Sequence, residues 1–297
     1  MATISVIGGA NFDISAGLSA PFIANDSNIG HVTLGYGGVA RNMAHNLCLL
    51  GHKVHFISVF GGDIFGGLMR DYCKNVGLDL SLSDQVKDER TGLYLCINNH
   101  GGDMIAAVAD TEIIQHITPQ FIEKRLGELN QSAAIVCDTN LQTESLQYLL
   151  DSALAPVFVD AVSSTKAQRI IDALHNSKNG KLNTLKLNLK EALVVTGTQS
   201  AEEAAAQLID MGVENVYITL GSEGVYCRNT ERDRMFPALP VEVVNTTGAG
   251  DAFLAGVVHA VLQNVAFPQT AQYGLMAARA TLLSEQAVNP EIANILL

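Results

Sequence analysis

The sequence of 297 residues is poor in positive charge: 18 lysines and arginines stand against 30 aspartates and glutamates, a net charge of −12. No cluster of lysine or arginine occurs anywhere along it. Because nucleic acids and anionic membranes attract clustered cations, this composition argues against both as partners. An anionic small molecule can still bind where backbone N–H groups and a few cations come together.

Cysteines and long apolar runs are also scarce. The chain has five cysteines, an odd number, and none forms a C-x-x-C pair. This pattern is typical of buried thiols in a reducing compartment and excludes a disulfide framework or a zinc site. No apolar run reaches about 18 residues, and the opening MATISVIGG lacks the charged segment of a signal peptide. We therefore expect a cytoplasmic protein without a membrane span.

Short runs rich in valine and isoleucine alternate with amphipathic helical patterns. With 48% hydrophobic and 16% charged residues, the chain is typical of a globular protein. This alternation predicts an α/β fold with a doubly wound, mostly parallel sheet. The predicted strands are 4–7, 54–59, 134–137, 157–159, 184–187 and 216–220, and the predicted helices are 39–50, 64–76, 143–154, 165–175 and 200–211.

Two segments, 12–35 and 91–110, interrupt that alternation. They contain strand-like runs without helices between them, at 31–34, 93–97 and 105–108, and a hairpin turn is predicted at 100–103. We interpret the two segments as insertions that build one small β-sheet, a lid over the main sheet. The rest of the chain, 1–11, 36–90 and 111–297, is expected to form the α/β core that binds nucleotide and substrate.

The stretch VVNTTGAGDAFLAGVVHAVL, residues 243–262, contains three small residues, Gly248 to Gly250, followed by one acid, Asp251. They stand at the start of a predicted apolar helix that begins near Ala249. One interpretation is a tight turn in which Asp251 is a first-turn acid that suits the helix dipole. The other is an anion cradle of free backbone N–H groups with a proton acceptor beside it. This stretch alone leaves both open.

Four motifs in order, spread over nearly the whole chain, resemble those of the ribokinase-like (PfkB) family of carbohydrate and nucleoside kinases. The chain shows GG-x-A-x-N at 37–42, N-x-x-E at 188–191, TLGS-x-G at 219–224 and TTGAGD at 246–251. The resemblance implies transfer of a phosphoryl group from ATP. It assigns the general base to Asp251 and the anion cradle to the turn of Gly248, Ala249 and Gly250.

The same resemblance implies the remaining contacts. Glu191 would bind Mg²⁺ through water, and a monovalent cation such as K⁺ would lie near Asn245 and Thr247, although Asn245 stands where Asp is more usual. The nucleotide would contact Asn188, Thr219, Gly221, Ser222 and Gly224. The ribose hydroxyls would contact Asn11, Asp13, Gly38 and Asn42, with Asn28, Asn140 and Lys166 as further substrate contacts.

Within the family, DSNIG at 26–30, GGVARN at 37–42, the segment 91–110 and VSSTKA at 162–167 resemble the pseudouridine kinase branch. The expected reaction is phosphorylation of the 5′-hydroxyl of pseudouridine, in a homodimer formed through the lid. Ribokinase or another nucleoside or sugar kinase is the alternative. A hexose phosphate ranks lower, because only Arg41 and Lys166 are candidates for binding its phosphate.

Two other classes of protein compete with a kinase. A dinucleotide-binding oxidoreductase is disfavoured because Gly8-Gly9-Ala10 lacks the G-x-G-x-x-G spacing. A catalytically inactive binding protein is disfavoured because Asp251, Asn188 and Glu191 are all present.

Overall fold

Strands alternate with helices along the chain, which is described for residues 2–179 and 182–296 by a computed structural model. The strands are β1 (Thr3–Ile7), β2 (Asn11–Leu18), β3 (Gly30–Gly37), β4 (Lys53–Ile57), β5 (Val59–Gly61), β6 (Asp84–Val86), β7 (Gly92–Asn98), β8 (Met104–Asp110), β9 (Ala134–Asp138), β10 (Val157–Asp160), β11 (Leu182–Asn188), β12 (Val213–Thr219), β13 (Val225–Asn229) and β14 (Asp233–Phe236). The α-helices are α1 (Val39–Leu49), α2 (Ile64–Asn75), α3 (Pro119–Glu123), α4 (Leu126–Gln131), α5 (Thr143–Ser152), α6 (Ser164–Asn176), α7 (Leu189–Thr196), α8 (Ala201–Asp210), α9 (Ala249–Leu262), α10 (Thr270–Leu282) and α11 (Ile292–Leu296).

The central sheet has eight strands in the order β14-β13-β12-β11-β10-β9-β1-β4. Neighbouring strands from β4 to β12 run parallel, whereas β13 and β14 are added antiparallel at one edge. The predicted α/β fold with a mostly parallel sheet is therefore confirmed.

Helices cover both faces of this sheet because its strands are apolar on both sides. Side chains alternate along β1, so Ile4 and Val6 join a cluster with residues of α1 and α9, whereas Ile7 joins a second cluster with residues of α5, α6 and α8. Within the described ranges, none of the helices is both long enough and apolar enough to cross a membrane.

A separate sheet of four strands has the order β3-β2-β7-β8. The runs predicted at 31–34, 93–97 and 105–108 lie inside β3, β7 and β8, and the predicted hairpin turn joins β7 to β8. That turn is closed by Asn99 N–H donating to the Asp103 carbonyl at 2.7 Å. The predicted small sheet is therefore present.

The predicted strand 54–59 is wrong in its extent. The chain leaves the central sheet at Ser58, whose N–H donates to Ser83 Oγ and whose carbonyl accepts from Asp84 N–H, each at 3.0 Å. Beyond that point β5 pairs with β6 in a two-stranded sheet. The apolar run continues across Ser58, and an apolar run does not reveal which strand pairs with it. Strands β2, β6, β13 and β14 were not predicted.

Candidate active site

Several parallel strands end in polar residues at one edge of the central sheet. Strand β9 ends at Asp138, β10 at Asp160, β11 at Asn188 and β12 at Thr219. Helix α1 begins at the same edge, since the N–H of Ala40 donates to Asp138 Oδ2 at 2.9 Å. Ligands of open α/β sheets bind at this edge.

Helix α9 begins at this edge without a side-chain cap. Gly248 precedes it in the left-handed conformation, φ +82°, and a Cβ there would collide with the carbonyl of Ala287. The backbone N–H groups of Gly250 and Asp251 have no hydrogen-bond partner among residues 2–179 and 182–296. A helix start with open N–H groups beside a cavity suits an anion.

Asp251 lies in the first turn of α9 and is almost completely buried. Its Oδ2 accepts a hydrogen bond from Asn42 Nδ2 at 2.7 Å. Burial raises the pKa of Asp251 to about 7, with a contribution from the Asp160 carboxylate, while Asn42 and Lys186 oppose the rise. A carboxyl with a pKa close to neutral can take up a proton at physiological pH.

Lys186 and Asp160 form a buried ion pair beside this helix start, with Nζ to Oδ2 at 3.0 Å. A Cβ on Gly250 would lie 2.6 Å from the same Nζ, so the ammonium group contacts the first turn of α9. Burial alone would lower the pKa of Lys186, but the carboxylates of Asp160, Asp251 and Glu191 outweigh it, and the pKa is raised.

Lys186 and Asp160 were not among the site residues predicted from the sequence. A signal was available, because Lys186 is a charged residue inside an otherwise buried apolar strand. Such a residue is rarely buried without a partner of opposite charge. Asp160 is the last residue of the neighbouring strand β10, where it lies opposite Lys186, two residues before the VSSTKA stretch at 162–167.

Asp13 of β2 lies directly over the backbone of Gly37, where a Cβ would collide with its carboxyl group. Burial raises the pKa of Asp13 to about 6, against the effect of the Arg41 guanidinium. Gly38 then caps α1, which carries Asn42. The Oδ1 atom of Asn42 is buried and has no hydrogen-bond partner in the described residues. The structure thus brings together Asp13, Gly38, Asn42 and Asp251, four of the predicted site residues.

A second polar group forms around the end of β9. Lys166 Nζ donates to Asn140 Oδ1 at 2.6 Å, and Asn140 N–H donates to Asp138 Oδ1 at 2.9 Å. Burial raises the pKa of Asp138 to about 6 and lowers that of Lys166. The side-chain amides of Asn11 and Asn140 both lie next to Gly9. A Cβ on that glycine would be 4.0 Å from Asn11 Oδ1 and 3.7 Å from Asn140 Nδ2, so both amides belong to this polar group.

Asn28 does not join either group through its side chain. Its Oδ1 accepts from Ile23 N–H, and its Nδ2 donates to the carbonyls of Ile23 and Asp26, at 2.8 to 3.0 Å. The amide therefore closes its own loop between β2 and β3.

A cavity of about 610 Å³ lies between the loop after β12 and the helices α9 and α10. All four residues predicted in the 219–224 loop contribute to its wall, together with Ala249 and Gly250 of α9. The wall is otherwise mostly apolar. Its lining includes Thr219, Gly221, Ser222, Gly224, Ala238, Leu239, Val241, Phe253, Leu275, Ala278 and Arg279.

Asn188 and Glu191 form a capping box at the start of α7. Asn188 Oδ1 accepts from Glu191 N–H at 2.9 Å, and Glu191 accepts from the N–H and the Nδ2 of Asn188 at 2.8 and 2.7 Å. Burial raises the pKa of Glu191. Both carboxylate oxygens are thus engaged, although each keeps a lone pair for a water molecule.

Asn245 and Thr247 lie in the exposed segment before α9. Asn245 Oδ1 accepts from Thr247 N–H, and its Nδ2 donates to the Glu285 carbonyl, both at 2.9 Å. Asn245 therefore ties this segment to the chain after α10. Within the parts of the chain that the structure describes, no group of three or more His, Cys, Asp or Glu side chains could hold a metal ion.

Known proteins share both the sequence pattern and the fold. The model of the pfkB family carbohydrate kinases matches residues 1–294. The chain is 29% identical to the pseudouridine kinase of Escherichia coli (strain K12) over 297 residues, covering 99% of this chain and 95% of that one. It is also 29% identical over 290 residues to the sugar kinase YeiI of the same strain, covering 97% and 80%.

The fold is also that of the ribokinase of Arabidopsis thaliana, solved in complex with ribose and ATP. The two structures superpose with a TM-score of 0.85 at 20% identity, over 99% of this chain and 98% of the other. The family match extends over almost every residue, and the resemblance inferred from the four motifs is confirmed. The chain belongs to the pfkB family of carbohydrate kinases and is a sugar or nucleoside kinase.

Proposed function

We propose that the protein transfers the γ-phosphoryl group of ATP to the 5′-hydroxyl of pseudouridine. The observation that carries the proposal is the position of Asp251. A buried carboxyl with a pKa of about 7 stands at an uncapped helix start, with Asn42 and Asp13 on one side and the 610 Å³ cavity on the other. This arrangement matches what phosphoryl transfer to an alcohol requires, a proton acceptor and a preorganised anion site between two ligand sites.

In this proposal Asp251 accepts the proton of the attacking hydroxyl. The free N–H groups at the start of α9 stabilise the charge on the transferring group, with Gly248 forming the turn that aims them. Lys186 adds a buried positive charge beside Gly250. Asp160 holds that charge in position through the ion pair.

The sugar would bind between β2 and α1. Asp13 and Asn42 offer a carboxylate and an amide to two adjacent hydroxyls, with Asn11 and the backbone of Gly38 beside them. The Oδ1 atom of Asn42, buried and without a partner, is an acceptor that a ribose hydroxyl would satisfy.

Asn140 and Lys166 are proposed to contact the base, with Asn28 holding the loop above it. The identity of 29% to a pseudouridine kinase over nearly the full length supports this base. Pseudouridine also has a ring N–H that uridine lacks, and an acceptor matched to it would discriminate strongly between the two nucleosides. The carboxylate of Asp138 and the Oδ1 of Asn140 are acceptors of that kind.

The 610 Å³ cavity is large enough for a nucleotide, and we assign it to ATP. Thr219, Gly221, Ser222 and Gly224 would contact it, and Asn188 lies at the end of the adjacent strand β11. Mg²⁺, when bound to the phosphates, would neutralise part of their charge. Glu191 fits contact with Mg²⁺ through water, because both its oxygens already accept hydrogen bonds.

A monovalent cation, K⁺, is proposed near Asn245 and Thr247 on the family resemblance. We also propose that the protein is cytoplasmic. We further propose that it binds neither nucleic acid nor membranes, which its net charge of −12 supports.

The small sheet is proposed to act as a lid and to mediate a homodimer. Its strands and their loop expose apolar side chains, among them Ile29, Val32, Leu34 and Val108, which a second copy would cover. Light scattering at micromolar concentration tests this, and a mass of one chain would contradict it.

The substrate is tested by ATP consumption with pseudouridine, uridine, ribose, adenosine and fructose 6-phosphate. We expect kcat/KM for pseudouridine to exceed that for uridine by about 10²-fold or more. Comparable values for these two nucleosides, or a preference for ribose, would contradict the substrate while leaving the kinase activity in place.

A further inference from the structure

Arg41 is a buried cation beside the proposed sugar site, and the proposed function gives Arg41 no role. It lies in the first turn of α1, one residue before Asn42, and its side chain is 2% exposed. An arginine is rarely buried without a carboxylate partner. Yet in residues 2–179 and 182–296 no carboxylate oxygen lies within 4.0 Å of its guanidinium group.

The guanidinium group instead binds the turn between β3 and α1. Its Nε donates to the Gly37 carbonyl at 3.3 Å, and its Nη2 donates to the Tyr36 carbonyl. It also packs against the ring of Tyr72, 5.6 Å from Cζ to the ring centre, and Tyr72 stacks on Tyr36 at 3.9 Å. Arg41 therefore holds this turn at two consecutive carbonyls, those of Tyr36 and Gly37.

That turn is the surface on which the carboxyl group of Asp13 lies. Gly37 is in direct contact with Asp13, so any displacement of the turn displaces the carboxyl group or leaves it without its support. Holding the turn through two carbonyls thus fixes the position of a carboxyl that is proposed to bind the sugar.

The charge of Arg41 acts on the same carboxyl. Burial lowers the pKa of Arg41, and the carboxylates of Asp13 and Asp251 are among the groups that oppose this change. The effect is mutual, since the guanidinium group opposes the rise in the pKa of Asp13 that burial causes. The pKa of Asp13 is about 6, and removal of the positive charge of Arg41 would raise it further.

Asp251, with a pKa of about 7, titrates in the same pH range as this pair, whereas the tyrosine, cysteine and histidine side chains near it remain neutral around neutral pH. Tyr94 lies opposite Asp13 on β7, and burial raises its pKa and that of Tyr72. Burial raises the pKa of the Cys73 thiol to about 12 and lowers that of His45 to about 4. Arg41 is therefore the positive charge that acts on Asp13 in this pH range.

We propose that Arg41 is a positioning residue for the proposed sugar site: it holds the turn at residues 36–38 beneath Asp13, and its positive charge acts on the Asp13 carboxyl group. The proposal rests on the proposed contact between Asp13 and the sugar. It predicts that sugar binding depends on pH in a way that Arg41 controls.

The test compares Arg41→Gln, which removes the charge, with Arg41→Lys, which keeps it. Two quantities are measured between pH 5.5 and 8.5: the KM for pseudouridine, and the titration midpoint of the Asp13 carboxyl by ¹³C NMR in the substrate-free protein. For Arg41→Gln we expect the midpoint to rise by about one pH unit or more. The KM should rise about tenfold at pH 6.5 and recover as the pH increases, while kcat changes less. For Arg41→Lys the midpoint should stay near that of the wild type.

An unchanged midpoint in Arg41→Gln would overturn the proposal, as would equal, pH-independent increases in KM for both variants. If Arg41→Gln does not fold, the Arg41→Lys variant in an Asp13→Asn background decides. In that background Arg41→Lys removes the two-donor guanidinium group but there is no Asp13 carboxylate left to position, so KM should not change further. An increase in KM as large as the one that Arg41→Lys causes with Asp13 in place would overturn the proposal. A shifted midpoint with an unaffected KM would instead contradict the sugar contact of Asp13, and hence the proposed function, while leaving the charge coupling in place.

Discussion

Helices α7 and α9 begin at the same edge of the central sheet but their first turns are built differently. At α7, Asn188 and Glu191 satisfy the exposed donors of the helix start with their own side chains. At α9, Gly248 supplies no side chain, and the N–H groups of Gly250 and Asp251 have no partner within the described parts of the chain. One helix start is closed by its own residues and the other is open.

The difference indicates that a ligand binds at the start of α9 rather than at the start of α7. A side-chain cap contributes about 1 kcal/mol to stability. The start of α9 therefore gives up stability that α7 retains. The acids differ in the same sense, because both oxygens of Glu191 are engaged whereas Asp251 has one hydrogen bond, to Oδ2.

The largest effect is expected for Asp251→Asn, which keeps the shape of the open helix start but removes the proton acceptor. Turnover should fall towards the upper end of about 10²–10⁴-fold, with ATP binding by calorimetry unchanged. Asp210→Asn, an exposed position at the end of α8, is the control. A variant that keeps more than about a tenth of the wild-type rate would show that another group takes the proton.

Gly250→Ala tests whether the open start must remain open. Its Cβ would lie 2.6 Å from Lys186 Nζ, so the ammonium group must move away from the helix start. We expect a loss of about 10²-fold in kcat with a small change in unfolding free energy, because the end of a lysine side chain is flexible. Gly67→Ala in α2, where a Cβ has nothing within 4 Å, is the matched control and should keep full activity. Equal activity of the two variants would contradict a role for this helix start.

The acid at the open start also predicts opposite pH dependences for activity and stability. With the pKa of Asp251 at about 7, kcat/KM should fall about tenfold per unit below pH 7. Because its pKa is higher in the folded than in the unfolded chain, the contribution to stability is complete below about pH 4 and is lost as the pH rises through 7.

Both dependences are measured on the wild type, by a pH–rate profile and by urea unfolding at several pH values. Asp160, Asp138 and Lys186 act on the same carboxyl, so the observed midpoint belongs to the group rather than to Asp251 alone. In Asp251→Asn the stability between pH 5 and 8 should depend less on pH. An unchanged pH dependence of stability in that variant would mean that Asp251 titrates at its ordinary pKa.

The smallest effect is expected at the closed start. Asn188→Ala removes the cap of α7 and should lower the unfolding free energy by about 1 kcal/mol. Ser200→Ala, which removes the cap of α8 away from the site, is the control for the loss of a cap by itself. A larger loss of ATP affinity in Asn188→Ala than in Ser200→Ala would support the nucleotide contact proposed for Asn188, and equal affinities would contradict it.

Much of the fold could be predicted because its signals are local. The apolar runs and helical periods identified six strands and five helices of the core, and the start of α9 at Ala249 was predicted correctly. The break at Ser58 was missed because it depends on Ser83 and Asp84, about 25 residues away. Strand β2 was missed because Asn11–Leu18 is only partly buried and lacks a continuous apolar run.

The sequence by itself determined the family and the candidate residues, since four short motifs have a chemical meaning that survives without coordinates. The tertiary structure decided which of those residues meet. It joined Asn42 to Asp251 across 209 positions and engaged the side chain of Asn28 within its own loop. It also brought Lys186 and Asp160 to the start of α9, and Arg41 to the turn on which the Asp13 carboxyl lies. The physical reason is that a buried charge is tolerated only beside its partners, and those partners lie on other strands and helices.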